Sequence, residues 1–146
     1  LIAFAAVGRL DLLKAVLGRV GLPPAVVREV LAADHLAPNR SLRDALACGD
    51  CLIRVELTAT AANSAARYAS LVDQGEAEAI TIARELGRPV LLDDLPARRL
   101  AHAEGVALIG SLGVLLLCKQ KGVLPAVRPI AEAMRQSGRF FSRPLL

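Results

Sequence analysis

The sequence predicts an α/β fold in which helices cover both faces of a buried parallel sheet. Three observations carry that prediction. Short apolar runs alternate with longer segments of helical spacing from one end of the chain to the other. Hydrophobic residues make up 54% of the chain and aromatics only 3%, so the core is built from Ala, Leu, Val and Ile, as expected where helices pack on a buried sheet. No low-complexity segment, internal repeat or linker rich in Gly, Ser or Pro interrupts the pattern, and 146 residues form one domain, 1–146, large enough to bury a core.

In chain order, "LIAFAAVG" and "RLDLLKAVLG" carry helical spacing, with Gly8 and Gly18 as stops. "RVGL" at 19–22 is a short strand. Pro23 and Pro24 then open the helix "PAVVREVLAA", because proline suits a helix's first turn. "SLRDALAC" at 41–48 reads as a helix beginning on a Ser cap, and "CLIRVEL" at 51–57 alternates as a strand. "SAARYASLVD" and "GEAEAITIARELG" are successive helices, the second stopped by Gly87. "RPVLLDD" is a buried strand closing on two acids, "LPARRLAHAEG" a helix, "VALIG" a strand and "SLGVLLLCKQKG" a helix. "LPAVRPIAEAMRQSG" is a last helix in which Pro129 predicts a break or kink.

Composition narrows the function classes. The longest apolar run, "VALIGSLGVLLLC" at 106–118, is too short for a bilayer and is interrupted by Gly110 and Gly113. The net charge of +4 is carried mostly by Arg; it is compatible with a polyanionic partner and does not demand one. Three cysteines, an odd number, and an apolar start with nothing basic before it argue for a reducing cytoplasm without a secretory signal.

In such folds ligands sit beyond the carboxyl ends of the strands, which is where Asp93 and Asp94 end "RPVLLDD". Two adjacent acids there suit a hard cation, which prefers carboxylate oxygens from several elements. Their structural alternative is an N-cap on "LPARRLA", with Arg98 or Arg99 relieving the repulsion. Glu76 and Glu78 open a helix, where acids complement the helix dipole; two positions apart, they do not share a face. Glu76 starts the helix that feeds the strand, which places it at the opposite end of that unit from Asp93 unless the helix is angled across. Glu29, beside the apolar Val26, Val27 and Val30, has a solvated surface position as its alternative.

Other motifs weigh less. "CGDC" at 48–51 is a CxxC pair, but only Cys118, His35 and His102 remain to complete a zinc site, at no recognised spacing. A redox pair would open a helix after a strand, whereas this one precedes a strand. "GSLG" at 110–113 follows a strand and opens a helix, a turn that serves as an anion seat or simply as a Ser cap; without GK[ST] it is no P-loop.

The string "GEAEAITIARELGRPVLLDDLPARRLAHAEGVALIGSLGVLLLCKQKG", with "LIAFAAVGRLDLL" and "RVGLPPAVVREVL" before it, resembles PIN-like domains over essentially the whole chain. More narrowly, it is similar to an uncharacterised prokaryotic branch with a GEAEAI helix, an LLDD-x-x-AR strand end and a G-[ST]-x-G turn. The resemblance implies a three-layer α/β/α sandwich with a central parallel sheet, and Mg²⁺- or Mn²⁺-dependent ribonuclease activity of the VapC-toxin type. By position, Glu29 corresponds to the second metal-binding acid, Glu76 to the third, and Asp93 with Asp94 to those after the fourth strand. Glu29, Glu76 and Asp93 would then be the catalytic set, with Ser111 as a hydroxyl close to the cation and Glu78 turned away from it. RNA is the implied substrate and a small antitoxin-like protein the implied partner; a homodimer is compatible with this, and a non-cutting RNA- or protein-binding module is the alternative. A plain interaction module with its acids as helix caps is the remaining one. The family's first acid ends a strand in a D-x-S-P-L-like segment that "LIAF" lies beyond, so the chain is expected to be N-terminally incomplete, or to have lost that strand. Asp11 sits too deep in the following helix to replace it.

Overall fold

The computed structural model describes residues 1–32 and 37–138. His35 lies outside the described residues, as do Arg139 and Arg143, the C-terminal arginines expected, with Arg98 and Arg99, to guide RNA by phosphate contacts. The elements run α1 (Ile2–Ala6), α2 (Leu10–Leu17), β1 (Val20–Leu22), α3 (Pro24–Ala32), α4 (Ala37–Cys48), β2 (Leu52–Arg54) and α5 (Ala59–Ala66). They continue through α6 (Gln74–Leu86), β3 (Val90–Leu91), α7 (Leu95–Ala103), β4 (Leu108–Ile109), α8 (Ser111–Gln120) and α9 (Arg128–Gln136). Helices and short strands alternate as the apolar pattern predicts, and the fold is α/β. Among the described residues no helix is long and apolar enough to cross a membrane.

The strands are shorter than their alternation suggests. β1 pairs with β2 through Val20 N to Cys51 O (2.7 Å) and Val55 N to Leu22 O (3.0 Å). β3 pairs in parallel with β4 in the register Val90–Leu108 and Leu91–Ile109. Pro89, just before β3, has no N–H to extend that ladder.

Three helices differ from their expected bounds. α4 begins at Ala37, so Ser41 lies inside the helix and Pro38 occupies the first turn, where its missing N–H costs nothing. α5 ends at Ala66 instead of running through "SAARYASLVD". It starts earlier because Thr58, in extended backbone, accepts a bond from Ala61 N at 3.0 Å and caps the helix. Beyond it the chain turns, with Arg67 N bonding Ser64 O and Tyr68 N bonding Ala65 O. α9 starts at Arg128, which puts Pro129 in its first turn; the proline neither breaks nor kinks it.

The chain divides into two compact units, each made of separated stretches. The first comprises Leu1–Val20, Ala33–Ile53 and Ser111–Leu146. Within it α1 packs on α4 and α9, and α2 on α8, around buried Phe4, Leu12, Leu13, Leu42, Val114, Leu115 and Met134. Cys118 is buried against α2, donating to Leu12 O at 3.6 Å. Cys48, Cys51 and Cys118 are free thiols, and burial pushes Cys51 and Cys118 above the usual thiol range.

The second unit comprises Gly21–Ala32 and Arg54–Gly110. Its hub is α6, which packs against α3, α5, α7 and β3. The core is small-residue rich: Ala65, Ala77, Ala83, Ala97 and Ala101 surround Ile80, Val90, Leu92 and Val106. Alanine lets helix axes approach closely, so polar side chains at the edges can bridge neighbouring elements. Thr58 donates to the Glu85 carboxylate at 2.9 Å, joining α5 to the last turn of α6. Arg84 reaches Ser64 Oγ at 3.3 Å and also pairs with Glu104 beyond α7.

Candidate functional site

The start of α6 assembles one part of the site. Asp73, in extended backbone, accepts a bond from Glu76 N at 3.0 Å and so caps the helix. Glu76 falls in the first turn. Gly75 lies between them and faces α3: a Cβ there would meet Val26 Cγ2 at 3.0 Å, Asp73 Oδ1 at 3.7 Å and Glu29 Oε1 at 3.7 Å. The absence of a side chain at 75 therefore brings the Glu29 carboxylate of α3 to the mouth of α6.

The carboxyl end of β3 supplies the other part. Asp94 caps α7, accepting from Ala97 N at 3.2 Å, which is the capping role expected of one acid of the pair. Asp93 stays exposed. Arg98 Nη1 donates to Leu92 O at 3.1 Å, and a Cβ on Gly110 would collide with that nitrogen and stand 3.3 Å from Asp93 Oδ1. Of the two arginines expected near these acids, Arg98 is the one beside Asp93, in space that Gly110 leaves open.

These parts meet electrostatically. Burial pushes the Glu76 carboxyl up to about 7, and the carboxylates of Asp73, Asp94 and Glu29 add to the shift. Glu29 is likewise raised, by burial first and then by Asp73, with Arg28 opposing. The expectation that Glu76 lies at the opposite end of its unit from the paired aspartates is overturned. A helix that turns at Gly87 straight into β3 runs back along the strand, so its first turn returns to the strand's carboxyl end. Thirteen residues of α6 rise about 20 Å, enough to cover the strand and its approach.

Glu78 goes elsewhere. Only 2% exposed, it turns inward onto α3, where Oε2 accepts from Ala25 N at 2.8 Å and Oε1 from Gln74 Nε2 at 3.2 Å. Ser111 opens α8 in the first unit, fully buried, and is not among the side chains that the second unit brings together. Asp11 is paired with Arg9 at 2.9 Å on the surface of α2. Sequence reasoning missed Asp73 and the partner of Glu78. Asp73 stands three residues before Glu76, the spacing of a capping box, and that signal was there to be used. The Ala25–Glu78 bond spans 53 residues and leaves no local trace.

Chemically, the cluster is a set of oxygen donors whose like charges raise one another's pKa, a condition that a hard cation relieves. The donor set fits Mg²⁺ or Mn²⁺ in kind. Among the described residues, however, no group of three or more His, Cys, Asp or Glu converges at ligand geometry. The carboxylates feel one another without closing on a common point.

Comparison with family models matches residues 1–146 to DUF3368, described as a PIN domain. No curated protein and no solved structure matches the chain.

Proposed function

The chain belongs to the PIN-domain family, and on that premise we propose that it is a Mg²⁺- or Mn²⁺-dependent ribonuclease that hydrolyses RNA phosphodiesters. The observation that carries the reading is the Glu76 carboxyl, pushed up to about 7 among Asp73, Asp94 and Glu29 at the end of β3. Glu29, Glu76 and Asp93 are the catalytic carboxylates in this reading, and Asp94 shares in holding the cation with the oxygen its cap leaves over. A divalent cation held by these carboxylates would offer a water of lowered pKa and charge neutralisation at the phosphate oxygens. The residues themselves do the remaining work. Glu76, once ionised, and Glu29 would hold the cation, while Arg98, held by Leu92 O, would present a guanidinium to phosphate. The three-layer α/β/α sandwich, a small antitoxin-like partner and a cytoplasmic setting all rest on the family.

A second reading is favoured by a specific observation. Without a convergent group of three among the described residues, the same fold would bind RNA or a protein without cutting.

A Mn²⁺ titration by calorimetry, run on this chain and on Glu76→Gln, separates the two. The nuclease reading expects saturable binding that the substitution abolishes, followed by metal-dependent RNA cleavage. Failure of both proteins to bind would leave the non-cutting binder.

A further inference from the structure

We propose that Glu78 is a positioning residue: its buried carboxylate clamps the start of α3 onto α6 and thereby sets where Glu29 stands relative to Glu76. The proposal rests on the reading of Glu29 and Glu76 as cation-holding groups.

The helix that carries Glu29 begins in an unusual way. Pro23 accepts the first intrahelical bond, from Val27 N at 3.0 Å, and Pro24 follows it. Neither proline has an N–H, so Ala25 is the first residue at this end with a donor to satisfy. Ala25 is 4% exposed, too buried for water to serve it, and its N–H goes to Glu78 Oε2 at 2.8 Å. The other oxygen of Glu78 is held by Gln74 Nε2 and lies 3.9 Å from the largely exposed guanidinium of Arg28. Glu78 is thus fixed from its own helix and fixes α3 in turn.

What is fixed there matters for the cluster. Glu29 lies four residues after Ala25, on the same face of α3 one turn along. Glu76 lies two residues before Glu78 on α6, on another face. A second observation points to the same place. The open space at Gly75 is closed by Val26 Cγ2 and Glu29 Oε1, so the two helices meet where a methyl group would already be tight. Clamp and glycine together leave α3 little freedom to slide along α6.

The clamp needs reach more than charge. A glutamine places an acceptor oxygen as far from the backbone as glutamate does, while an aspartate keeps the charge and falls one methylene short. The two substitutions therefore separate position from charge, and neither empties the site of polar atoms.

The test uses the whole chain as it stands, with two measurements. One is Mn²⁺ affinity by calorimetry; the other, without metal, is the NMR contact between a Val26 methyl and the Gly75 α-protons. Glu78→Gln should keep the contact and bind Mn²⁺ within a few-fold of the parent, while Glu78→Asp should weaken the contact and lose about 10–100-fold in affinity, the usual cost of disturbing a group that orients ligands. Val106→Ala, in the core away from α3, serves as the control for stability alone: it should lower the melting temperature and leave the affinity unchanged. The proposal is overturned if Glu78→Asp behaves like the parent, or if Glu78→Gln loses as much as Glu78→Asp. It is equally overturned if Val106→Ala, at a matched loss of melting temperature, weakens Mn²⁺ as much. Should the parent itself bind no Mn²⁺, the cation reading fails, and the metal-free contact alone then decides whether Glu78 is the clamp.

Discussion

Glu76 carries a testable cost. Its folded pKa, about 7, stands above the ordinary carboxyl value of 4.5, so the folded protein holds its proton more tightly than the unfolded chain does. Stability from this group is therefore fully present at acidic pH and is lost as pH rises from the ordinary value through about 7. Because the side chain is partly solvated, the loss is expected to be on the order of 1 kcal/mol, well below the unscreened value. Thermal melts at acidic and mildly alkaline pH check this: Glu76→Gln should melt higher than the parent at alkaline pH and alike at acidic pH. Metal affinity should run the other way, falling as pH drops through about 7, because a proton competes for the same oxygen. Gly110→Ala is the complementary change. Its methyl has to displace Arg98, the far end of a flexible side chain, so the loss in denaturant stability should be about 1 kcal/mol, at the mild end of overpacking. At this scale the sequence was legible where a residue type and a strand end coincide, as at Asp93 and Asp94. It was opaque for Glu78, since a buried carboxylate and a solvated one are spelled alike and only the Ala25 N–H distinguishes them.

Among the elements, capping decides the boundaries, and it does so with measurable weight. Asp94→Ala should cost about 1 kcal/mol by removing the α7 cap, read as a shift in urea midpoint with an unchanged slope. Asp73→Ala removes a cap of similar worth from α6 but relieves more like charge than Asp94→Ala does, because Asp73 acts on both Glu76 and Glu29 whereas Asp94 acts, more weakly, on Glu76. Above pH about 7 its net cost should therefore be the smaller of the two, and the pair of urea titrations measures that difference. The same physics explains which elements the sequence revealed. α2, α3 and α6 are bracketed by Gly18, by Pro23 with Pro24, and by Gly87, residues whose backbone limits are local. α5 was misplaced because its start depends on Thr58, whose hydroxyl both caps Ala61 N and donates to Glu85 27 residues away. The strands were read too long because alternation extends past the two or three residues that a partner strand bonds.

For the molecule as a whole, the alternation of helices and strands announced the α/β class, but nothing in composition announced two units. Each is stitched from separated stretches, and a boundary that crosses the chain several times leaves no linker to read. The mild excess of positive charge leads to one expectation at this scale. RNA association, measured by fluorescence anisotropy, should weaken with added salt, with a log–log slope of about −0.7 for each phosphate that a Lys or Arg side chain neutralises. A slope near zero would remove RNA from the reading.

The stitching also fixes an order of events during synthesis. Everything that the carboxylate-bearing unit needs has been made once Gly110 is added, whereas the other unit waits for its last stretch, which begins at Ser111. Phe4, Leu12 and Leu13 precede the whole carboxylate-bearing unit in the chain, yet α8 and α9, which complete their surroundings, follow it. A nascent chain must therefore carry these apolar side chains without α8 and α9 while the intervening unit is translated, a natural holding site for a chaperone. A ribosome that stalls just past Gly110 would release a product with the acids in place and those apolar side chains short of the helices that cover them.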